Sequence, residues 1–299
     1  MNAVEIKNLT KCFGSKKVLD GLNMTVPIGS IYGFIGENGS GKSTTEKLIC
    51  GLLVPSGGSI QLFGNDYKNP DVRAKIGVLI ETPGCYPNYS VWNNMMLQAS
   101  NLSLKNPEQE VQKVLKIVRM EGSASNKFKN CSLGMKQRIG IAMALLGNPA
   151  LLILDEPING LDVDGVRIMR DVLQQIVEVY NCTVLISSHV LGELEKIATH
   201  YGIIKNGKMI KELTARELND DCRTYVALKT KADDSAYDVL CKKYSAVMMK
   251  DDFLRVYDSV SPEEIVSYLY DNGIIICEIK TDKISLEEYY SDLMNKEVL

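Results

Sequence analysis

Residues 36–44 read GENGSGKST and match the pattern G-x-x-x-x-G-K-[ST]. The apolar run SIYGFIG comes immediately before this segment, and residues 42–53 after it have helical character. A glycine-rich turn between a buried strand and a helix lets backbone N–H groups surround phosphate oxygens, at a helix end that favours anions. The pattern therefore predicts a phosphate-binding loop made of Gly36, Glu37, Asn38, Gly39, Ser40, Gly41, Lys42, Ser43 and Thr44.

Two side chains of this loop have specific expected roles. Lys42 is expected to reach the β- and γ-phosphates of a nucleotide, and the Ser43 hydroxyl is expected to ligate Mg²⁺. The alternative is a chance glycine-rich turn. The predicted strand before the loop and the predicted helix after it argue against that alternative.

A second segment, LLILDEP at Leu151–Pro157, is an apolar strand that ends in two acids. Phosphoryl transfer to water needs one carboxylate for the metal and one to orient the nucleophile. Asp155 is the predicted metal ligand, and Glu156 is the predicted catalytic residue beside the attacking water. Alone, an acidic strand end is usually a helix cap or a solvated turn. Together with the phosphate-binding loop, it indicates a hydrolase.

Composition excludes several classes of protein. The chain has 299 residues and a net charge of −3, which argues against a nucleic-acid partner because phosphate neutralisation needs a basic surface. Its 8 cysteines are scattered singly without a C-x-x-C pair, so neither a zinc site nor a disulfide framework is indicated. No signal peptide is recognisable, and no apolar run approaches the ~20 residues that span a bilayer.

Two regions of the chain differ in their order of predicted strands and helices. Over residues 1–215, strands alternate with helices, which predicts a largely parallel sheet with a helical insertion at about 83–148. GSIQLFG and AKIGVLI within this region are expected to form a hairpin-like pair. Residues 216–299 read as β-α-ββ-α-β followed by a helix, which predicts a small α+β module of ferredoxin-like type.

A third motif, CSLGMKQR at Cys131–Arg138, opens a predicted helix shortly before the acidic strand. It resembles the LSGGQ signature of ATP-binding cassette proteins. Ser132 and Gly134 match that pattern, whereas Cys131, Leu133 and Met135 depart from it. By resemblance the signature residues that act on the nucleotide of a second subunit are Ser132, Gly134, Lys136 and Gln137.

The order of motifs completes this resemblance over residues 1 to about 215. NGLD, Asn159–Asp162, is similar to the loop that follows the acidic strand in the family, and Asp162 is its dimer-loop residue. His189 is similar to the family's catalytic switch histidine, although a histidine after a strand is more often structural. Phe13 falls where the family places an aromatic ring against adenine, and a buried core phenylalanine is the alternative.

The resemblance to the nucleotide-binding subunit of ATP-binding cassette transporters has several implications. It implies an α/β fold: a P-loop NTPase core with a mixed, largely parallel sheet, an antiparallel β subdomain and a helical subdomain, joined here to the small α+β module. It implies ATP and Mg²⁺, a homodimer that forms on ATP binding, and integral-membrane permease subunits as partners. It also implies a cytoplasmic location at the inner face of the cell membrane.

One residue that differs from the usual family pattern points to a particular subfamily. In LIETPGCYPN, Glu81 stands where the family normally has a glutamine that touches Mg²⁺ and the attacking water, so Glu81 is expected to be a metal ligand and a catalytic residue. This segment and SLGMKQRIGIAMALLGNP are similar to the subfamily that exports bacitracin and lantibiotics. A glutamate at the glutamine position, as at Glu81, is particularly similar to the lantibiotic-protection branch of that subfamily. The resemblance implies export of peptide antibiotics for self-protection or resistance.

Three other functions remain open at this point. The exported substrate could be another drug, an ion or a lipid. A soluble cassette ATPase acting on ribosomes or DNA usually carries two cassettes or a long coiled coil, and neither is found here. A small-molecule kinase would use the phosphate-binding loop but would leave the signature, Asp162 and His189 without a role.

Overall fold

The computed structural model describes residues 1–189 and 191–295. The chain divides into two compact units, Met1–Ala215 and Arg216–Leu299. We call them the cassette unit and the carboxyl-terminal unit. No helix in residues 1–189 or 191–295 is both long enough and apolar enough to cross a membrane.

The strands and helices of the cassette unit alternate along most of its length. Its strands are β1 (Asn2–Phe13), β2 (Lys16–Pro27), β3 (Ile31–Ile35), β4 (Gly57–Leu62), β5 (Asn65–Asp66), β6 (Ile76–Leu79), β7 (Leu151–Asp155), β8 (Thr183–Ser188), β9 (His200–Lys205) and β10 (Lys208–Thr214). Its helices are α1 (Lys42–Ile49), α2 (Pro70–Arg73), α3 (Val91–Asn101), α4 (Pro107–Ile117), α5 (Leu133–Leu145), α6 (Val163–Tyr180) and α7 (Leu191–Leu194).

The central sheet has the strand order β10-β9-β3-β8-β7-β6. The five neighbouring strands β9, β3, β8, β7 and β6 are parallel to one another. The edge strand β10 pairs antiparallel with β9 across a two-residue turn at Asn206-Gly207. Both turn residues have positive φ, 50° and 76°, as a tight hairpin turn requires. The apolar strands β3 and β8 are buried along their whole length, as expected for strands covered on both faces. The largely parallel sheet is confirmed.

A second, antiparallel sheet has the order β2-β1-β4-β5. The predicted hairpin between GSIQLFG and AKIGVLI is therefore wrong: β4 pairs with β1, whereas β6 pairs in parallel with β7. The alternating burial of β4 suits a sheet with one covered face, while the apolar β6 belongs beside the buried β7. One hydrophobic core joins residues of both sheets to residues of α1.

Helices α3, α4 and α5 follow β6 and pack on one another. Two of them begin at serine caps: Ser90 Oγ accepts from Asn93 N–H at 3.0 Å, and Ser132 Oγ accepts from Met135 N–H at 3.3 Å. Pro107 occupies the first turn of α4, where its missing N–H has no intrahelical partner to lose. The cap at Ser132 lies where the sequence predicts the signature helix to begin.

The carboxyl-terminal unit has its own sheet and core. After α8 (Ala215–Asp221), which begins at the boundary, its elements are β11 (Thr224–Thr230), α9 (Asp233–Lys243), β12 (Val247–Lys250), β13 (Phe253–Val256), α10 (Pro262–Asp271), β14 (Ile276–Lys283) and α11 (Leu286–Asn295). The antiparallel sheet has the order β12-β13-β11-β14. Its apolar core includes Leu228, Leu240, Leu254 and Leu269, each with no exposed surface. The order β-α-β-β-α-β from β11 is that of the ferredoxin-like motif.

Candidate active site

The phosphate-binding loop connects the end of β3 to the start of α1. At Gly36 a Cβ atom would lie 2.6 Å from the carbonyl oxygen of Ile204 and 2.6 Å from Ser40 Oγ, so no larger residue fits without movement. Gly41 has φ +116°, in the region that only glycine adopts readily. These two positions explain why the loop needs glycine, and the first N–H groups of α1, as at any helix start, have no intrahelical acceptors.

Lys42, the first residue of α1, lies under the loop and only 5% of its side chain is exposed. Its Nζ donates to the carbonyl oxygens of Gly36 at 2.6 Å and Glu37 at 3.2 Å. Burial lowers the pKa of Lys42, and the carboxylates of Glu156, Glu46 and Asp155 oppose that shift. A single ammonium thus joins the loop to the acidic end of β7.

A cleft of about 500 Å³ opens at the loop. Lys16, Lys17 and Lys42 line it, together with Ser43, Thr44 and Glu156. Three lysines beside a helix amino terminus make this cleft suitable for a polyanion such as a triphosphate. Phe13, at the end of β1, is 48% exposed, which excludes a buried core role for it, and Lys11 Nζ lies 4.8 Å from its ring centroid.

The two acids at the end of β7 are positioned by the neighbouring strand β8. Asp155 Oδ1 accepts a hydrogen bond from Ser187 Oγ at 2.8 Å. The Glu156 N–H donates to the carbonyl oxygen and to Oγ of Ser187, both at 3.2 Å. Glu156 has φ 47°, so the chain turns sharply there, and its side chain leaves the strand direction.

The Glu156 carboxylate is held from three sides. His189 Nδ1 lies 2.7 Å from Oε2, and Asn159 Nδ2 donates to the same oxygen at 3.2 Å. Lys42 Nζ lies 3.9 Å from Oε1. The structure therefore brings together three sequence-predicted residues, Lys42, Glu156 and His189, from three separate motifs. A carboxylate fixed in this way can orient a water molecule beside a bound phosphate.

Glu81 lies just beyond the end of β6, with φ 65° and 70% of its side chain exposed. Its Oε1 accepts a hydrogen bond from Lys47 Nζ at 2.8 Å, and this contact lowers the pKa of Glu81. Lys47 is on α1, one turn beyond Ser43. The described contact of Glu81 is thus with the helix of the phosphate-binding loop rather than with Ser43 or Asp155, the other two predicted metal ligands.

Ser43 and Asp155 supply oxygen atoms from the start of α1 and the end of β7. Magnesium prefers oxygen ligands and usually takes one or two carboxylates, with waters and substrate phosphates completing its shell. In residues 1–189 and 191–295 no group of three or more His, Cys, Asp or Glu side chains is arranged to hold a metal. This donor set fits Mg²⁺ bound together with a nucleotide, and it does not form an all-protein metal cage.

The signature residues lie at the start of α5. Ser132 is the cap of this helix, and a Cβ at Gly134 would lie 3.5 Å from Leu161 in the loop after β7. Lys136 Nζ is 5.7 Å from the ring centroid of Phe128, and the buried Gln137 Oε1 has no hydrogen-bond partner among the described residues. None of the signature residues is among the described residues that line the cleft.

Asp162, in the loop after β7, is the cap of α6. Its Oδ1 accepts a hydrogen bond from Gly165 N–H at 2.8 Å. The signature end and the Asp162 loop are neighbours, because Leu133 Cδ2 would be 3.1 Å from a Cβ placed on Gly160.

One buried acid was not singled out from the sequence. Glu46 on α1 is fully buried beside the Ser187 hydroxyl and the Asp155 carboxylate, and neither of its oxygens makes a hydrogen bond of good geometry within the described part of the chain. Burial and the nearby Asp155 carboxylate raise the pKa of Glu46 to about 8. Glu46 comes three residues after Ser43, and residues three apart lie on the same face of a helix. This spacing from a predicted metal ligand is the sequence feature that could have identified Glu46.

Comparisons with known proteins agree with this geometry. A model of the ABC transporter family matches residues 19–159. The bacitracin transport ATP-binding protein BcrA of Bacillus licheniformis is 37% identical over 298 residues, with 97% of each chain covered. The lantibiotic transport ATP-binding protein SrtF of Streptococcus pyogenes is 40% identical over 209 residues, which cover 70% of this chain and 90% of that relative.

A solved structure supports the same assignment at the level of the fold. A dimeric post-hydrolysis state of the ATP-binding cassette MJ0796, bound to ADP and Pi, superimposes with a TM-score of 0.64 at 25% identity, covering 71% of this chain and 99% of that chain. The phosphate-binding loop, the acidic strand end and the near full-length relatives lead to one conclusion. The chain belongs to the ATP-binding cassette (ABC) transporter family and is an ATP-hydrolysing subunit of that family.

Proposed function

We propose that this protein powers the export of peptide antibiotics of the bacitracin or lantibiotic type. In this proposal it acts with Mg²⁺, as a homodimer that forms on ATP binding, on permease subunits at the cytoplasmic face of the membrane. The supporting observation for hydrolysis is the Glu156 carboxylate, held 2.7 Å from His189 and 3.9 Å from Lys42. That arrangement places a fixed base beside the residue expected to bind the β- and γ-phosphates.

Each site residue then has a role in the proposed reaction. The loop from Gly36 to Thr44 holds the phosphates, and Lys42 exchanges its contacts with the loop carbonyls for phosphate oxygens. Ser43, Asp155 and Glu81 would hold Mg²⁺, which supplies charge neutralisation at the phosphates when bound. Glu156 orients the attacking water, and His189 fixes the Glu156 carboxylate. Phe13 offers an exposed aromatic face for the base.

The second subunit completes the site in this proposal. Ser132, Gly134, Lys136 and Gln137 lie away from the cleft of their own chain, so they are available to the nucleotide held by a partner. The amino terminus of α5 suits a terminal phosphate because its first two N–H groups, at Leu133 and Gly134, have no intrahelical acceptor, while the Met135 N–H is bonded to Ser132 Oγ. Asp162, beside this terminus in the fold, is assigned to the dimer contact. ATP binding therefore favours two copies arranged head to tail.

The substrate class rests on the relatives and on one substitution. BcrA and SrtF are bacitracin and lantibiotic transport ATP-binding proteins, and BcrA matches along nearly the whole chain, including the carboxyl-terminal unit. Glu81 at the family's glutamine position agrees with the lantibiotic-protection branch. Export of another drug, an ion or a lipid is the alternative, since substrate choice lies in the permease.

A resistance assay tests this proposal. Deleting the coding sequence should lower the inhibitory concentration of bacitracin or of at least one lantibiotic. Wild-type protein should restore it, and a Lys42→Ala variant should not, because the variant lacks the phosphate contact. The inhibitory concentrations of bacitracin and of every lantibiotic tested could instead stay unchanged while the purified protein still hydrolyses ATP. That result would exclude this substrate class and leave the ATPase assignment in place.

A further inference from the structure

The contact between Lys47 and Glu81 joins two elements of the active site. Lys47 Nζ and Glu81 Oε1 are 2.8 Å apart, so this is a charge-assisted hydrogen bond. Lys47 belongs to α1, which begins with the phosphate-contacting residues Lys42 and Ser43. Glu81 belongs to the segment after β6, the strand next to β7 and its acidic end. The ion pair therefore connects the helix of the phosphate-binding loop to the segment that follows β6.

Lys47 is also close to the other carboxylates of the site. Glu81 raises the pKa of Lys47 most strongly, and Asp155 and Glu46 add to that shift. Lys47 thus lies in the field of three acids, one of which is the predicted metal ligand Asp155. A fixed cation in that position partly neutralises the acids before any metal binds.

The Glu81 side chain has freedom to change its partner. It is 70% exposed, and Lys47 is its one ion-pair partner within residues 1–189 and 191–295. The Lys47 side chain is 33% exposed and is carried on a flexible four-carbon stem. An exposed pair of this kind contributes little to stability, so breaking it is not prohibitive.

We propose that Lys47 is a positioning residue that competes with Mg²⁺ for Glu81, holding this carboxylate off the metal until Mg²⁺ and nucleotide bind together. The inference rests on the proposed role of Glu81 as a metal ligand. The described contact of Glu81 is with Lys47 at 2.8 Å and not with Ser43 or Asp155, so the carboxylate must move away from the ammonium to ligate an ion that those two residues hold. Removing the lysine charge should release Glu81 and also reduce repulsion between the site and a divalent cation.

The test measures metal binding and not turnover. Mn²⁺ is titrated into the full-length protein in the presence of a non-hydrolysable ATP analogue, and free Mn²⁺ is followed by electron paramagnetic resonance. Lys47→Met should lower the Mn²⁺ dissociation constant by roughly threefold to tenfold. Lys47→Arg, which keeps the charge, should stay within about twofold of wild type.

Two further variants make the result specific to Glu81. Lys75→Met removes a more exposed lysine next to β6 that has no ion-pair partner among the described residues, and it should leave Mn²⁺ binding unchanged. In a Glu81→Gln background, Lys47→Met should have a clearly smaller effect than in wild type, as expected for coupled residues. If Lys47→Met does not fold, Lys47→Gln removes the same charge.

Three outcomes would overturn the proposal. In the first, the Lys47→Met and Lys47→Gln proteins fold but bind Mn²⁺ as wild type does, or more weakly. This outcome would show that Lys47 does not compete with the metal. An equal effect with and without Glu81 would show that Lys47 acts through its general field rather than through this carboxylate. Wild-type protein that binds no Mn²⁺ with the analogue would instead contradict the proposed role of Glu81, and with it the proposed function.

Discussion

At the scale of single residues, the active site concentrates acids around two lysines. Lys42 lies near Glu156, Glu46 and Asp155, and Lys47 lies near Glu81. Glu46 differs from the other acids because it is fully buried and neither of its oxygens makes a hydrogen bond of good geometry among the described residues. A buried carboxyl group is far easier to accommodate when it is neutral. Its protonation state therefore affects the stability of the whole unit.

The buried Glu46 predicts how stability depends on pH. Its pKa is about 8 in the folded protein against a model-peptide value of 4.5, so the folded state holds the proton more tightly than the unfolded state. The stability from this group is fully present below about pH 4.5 and is lost as the pH rises through 8, by roughly 1 kcal/mol per pH unit. Glu46→Gln, which stays neutral, should flatten this decline.

Thermal unfolding between pH 5 and pH 8 in EDTA checks the prediction. Glu37→Gln serves as the control, since it removes an exposed carboxyl group of the neighbouring loop in the same way. Parallel pH profiles for wild type and Glu46→Gln would mean that Glu46 is charged, or solvated, in the folded protein.

The motif residues were predictable, and the contacts between elements were not. Lys42, Asp155 and Glu156 occupy fixed places in recognisable patterns, so sequence alone identifies them. The contact of Glu81 with Lys47 and the burial of Glu46 depend on how α1 packs against β7 and meets the segment after β6, both of which come later in the chain. Only the folded structure brings those elements together. Sequence reasoning therefore predicted a metal role for Glu81 but not its contact with Lys47.

At the scale of elements, helices α3 and α5 begin in the same way. Each has a serine cap that accepts a hydrogen bond from the N–H three residues later, at 3.0 Å for Ser90 and 3.3 Å for Ser132. Only Ser132 belongs to the signature. The two caps thus separate a structural role, which they share, from the proposed contact with a second subunit's nucleotide.

Replacing each serine with alanine tests that separation. Both Ser90→Ala and Ser132→Ala should lower the free energy of unfolding by about 0.5–2 kcal/mol, the usual effect of losing a cap. Only Ser132→Ala should also reduce ATP turnover, by roughly 10²-fold, because it removes a donor to the terminal phosphate. Chemical denaturation and phosphate release measure the two quantities. Equal turnover in the two variants would leave Ser132 with a structural role alone.

The one wrong pairing at this scale has a simple cause. The segments that form β4 and β6 are both short and separated by a turn-rich stretch, so local sequence favours a hairpin. Their sequences differ, with polar and apolar side chains alternating along Ser59–Leu62 of β4 and an apolar run in β6, and the two strands join different sheets. Hydrophobic pattern over a few residues predicts a strand well, but it does not specify the partner strand.

At the scale of the whole molecule, the chain consists of two units with separate apolar cores. The phosphate-binding loop, the acidic strand end and the signature all belong to Met1–Ala215. The carboxyl-terminal unit contains none of these motifs. Its apolar core is made by residues of its own sheet and helices.

Truncation after Ala215 should therefore leave nucleotide binding nearly intact. The cassette unit keeps both of its sheets, since β10 ends at Thr214. The dissociation constant for a fluorescent ATP analogue should stay within roughly threefold of that of the full chain, a difference below about 0.7 kcal/mol. Circular dichroism verifies that the truncated protein is folded. A folded truncation that no longer binds the analogue would show that the carboxyl-terminal unit is part of the nucleotide site.

The central claim is that two copies of this chain close on ATP and that Glu156 is needed to open them again through hydrolysis. Light scattering coupled to size-exclusion chromatography measures this directly on Glu156→Gln protein with and without ATP and Mg²⁺. We expect twice the mass of the chain with ATP and the mass of a single chain without it. Adding Lys42→Ala should abolish the ATP-dependent dimer. A Glu156→Gln protein that binds ATP yet keeps the mass of a single chain would contradict the claim.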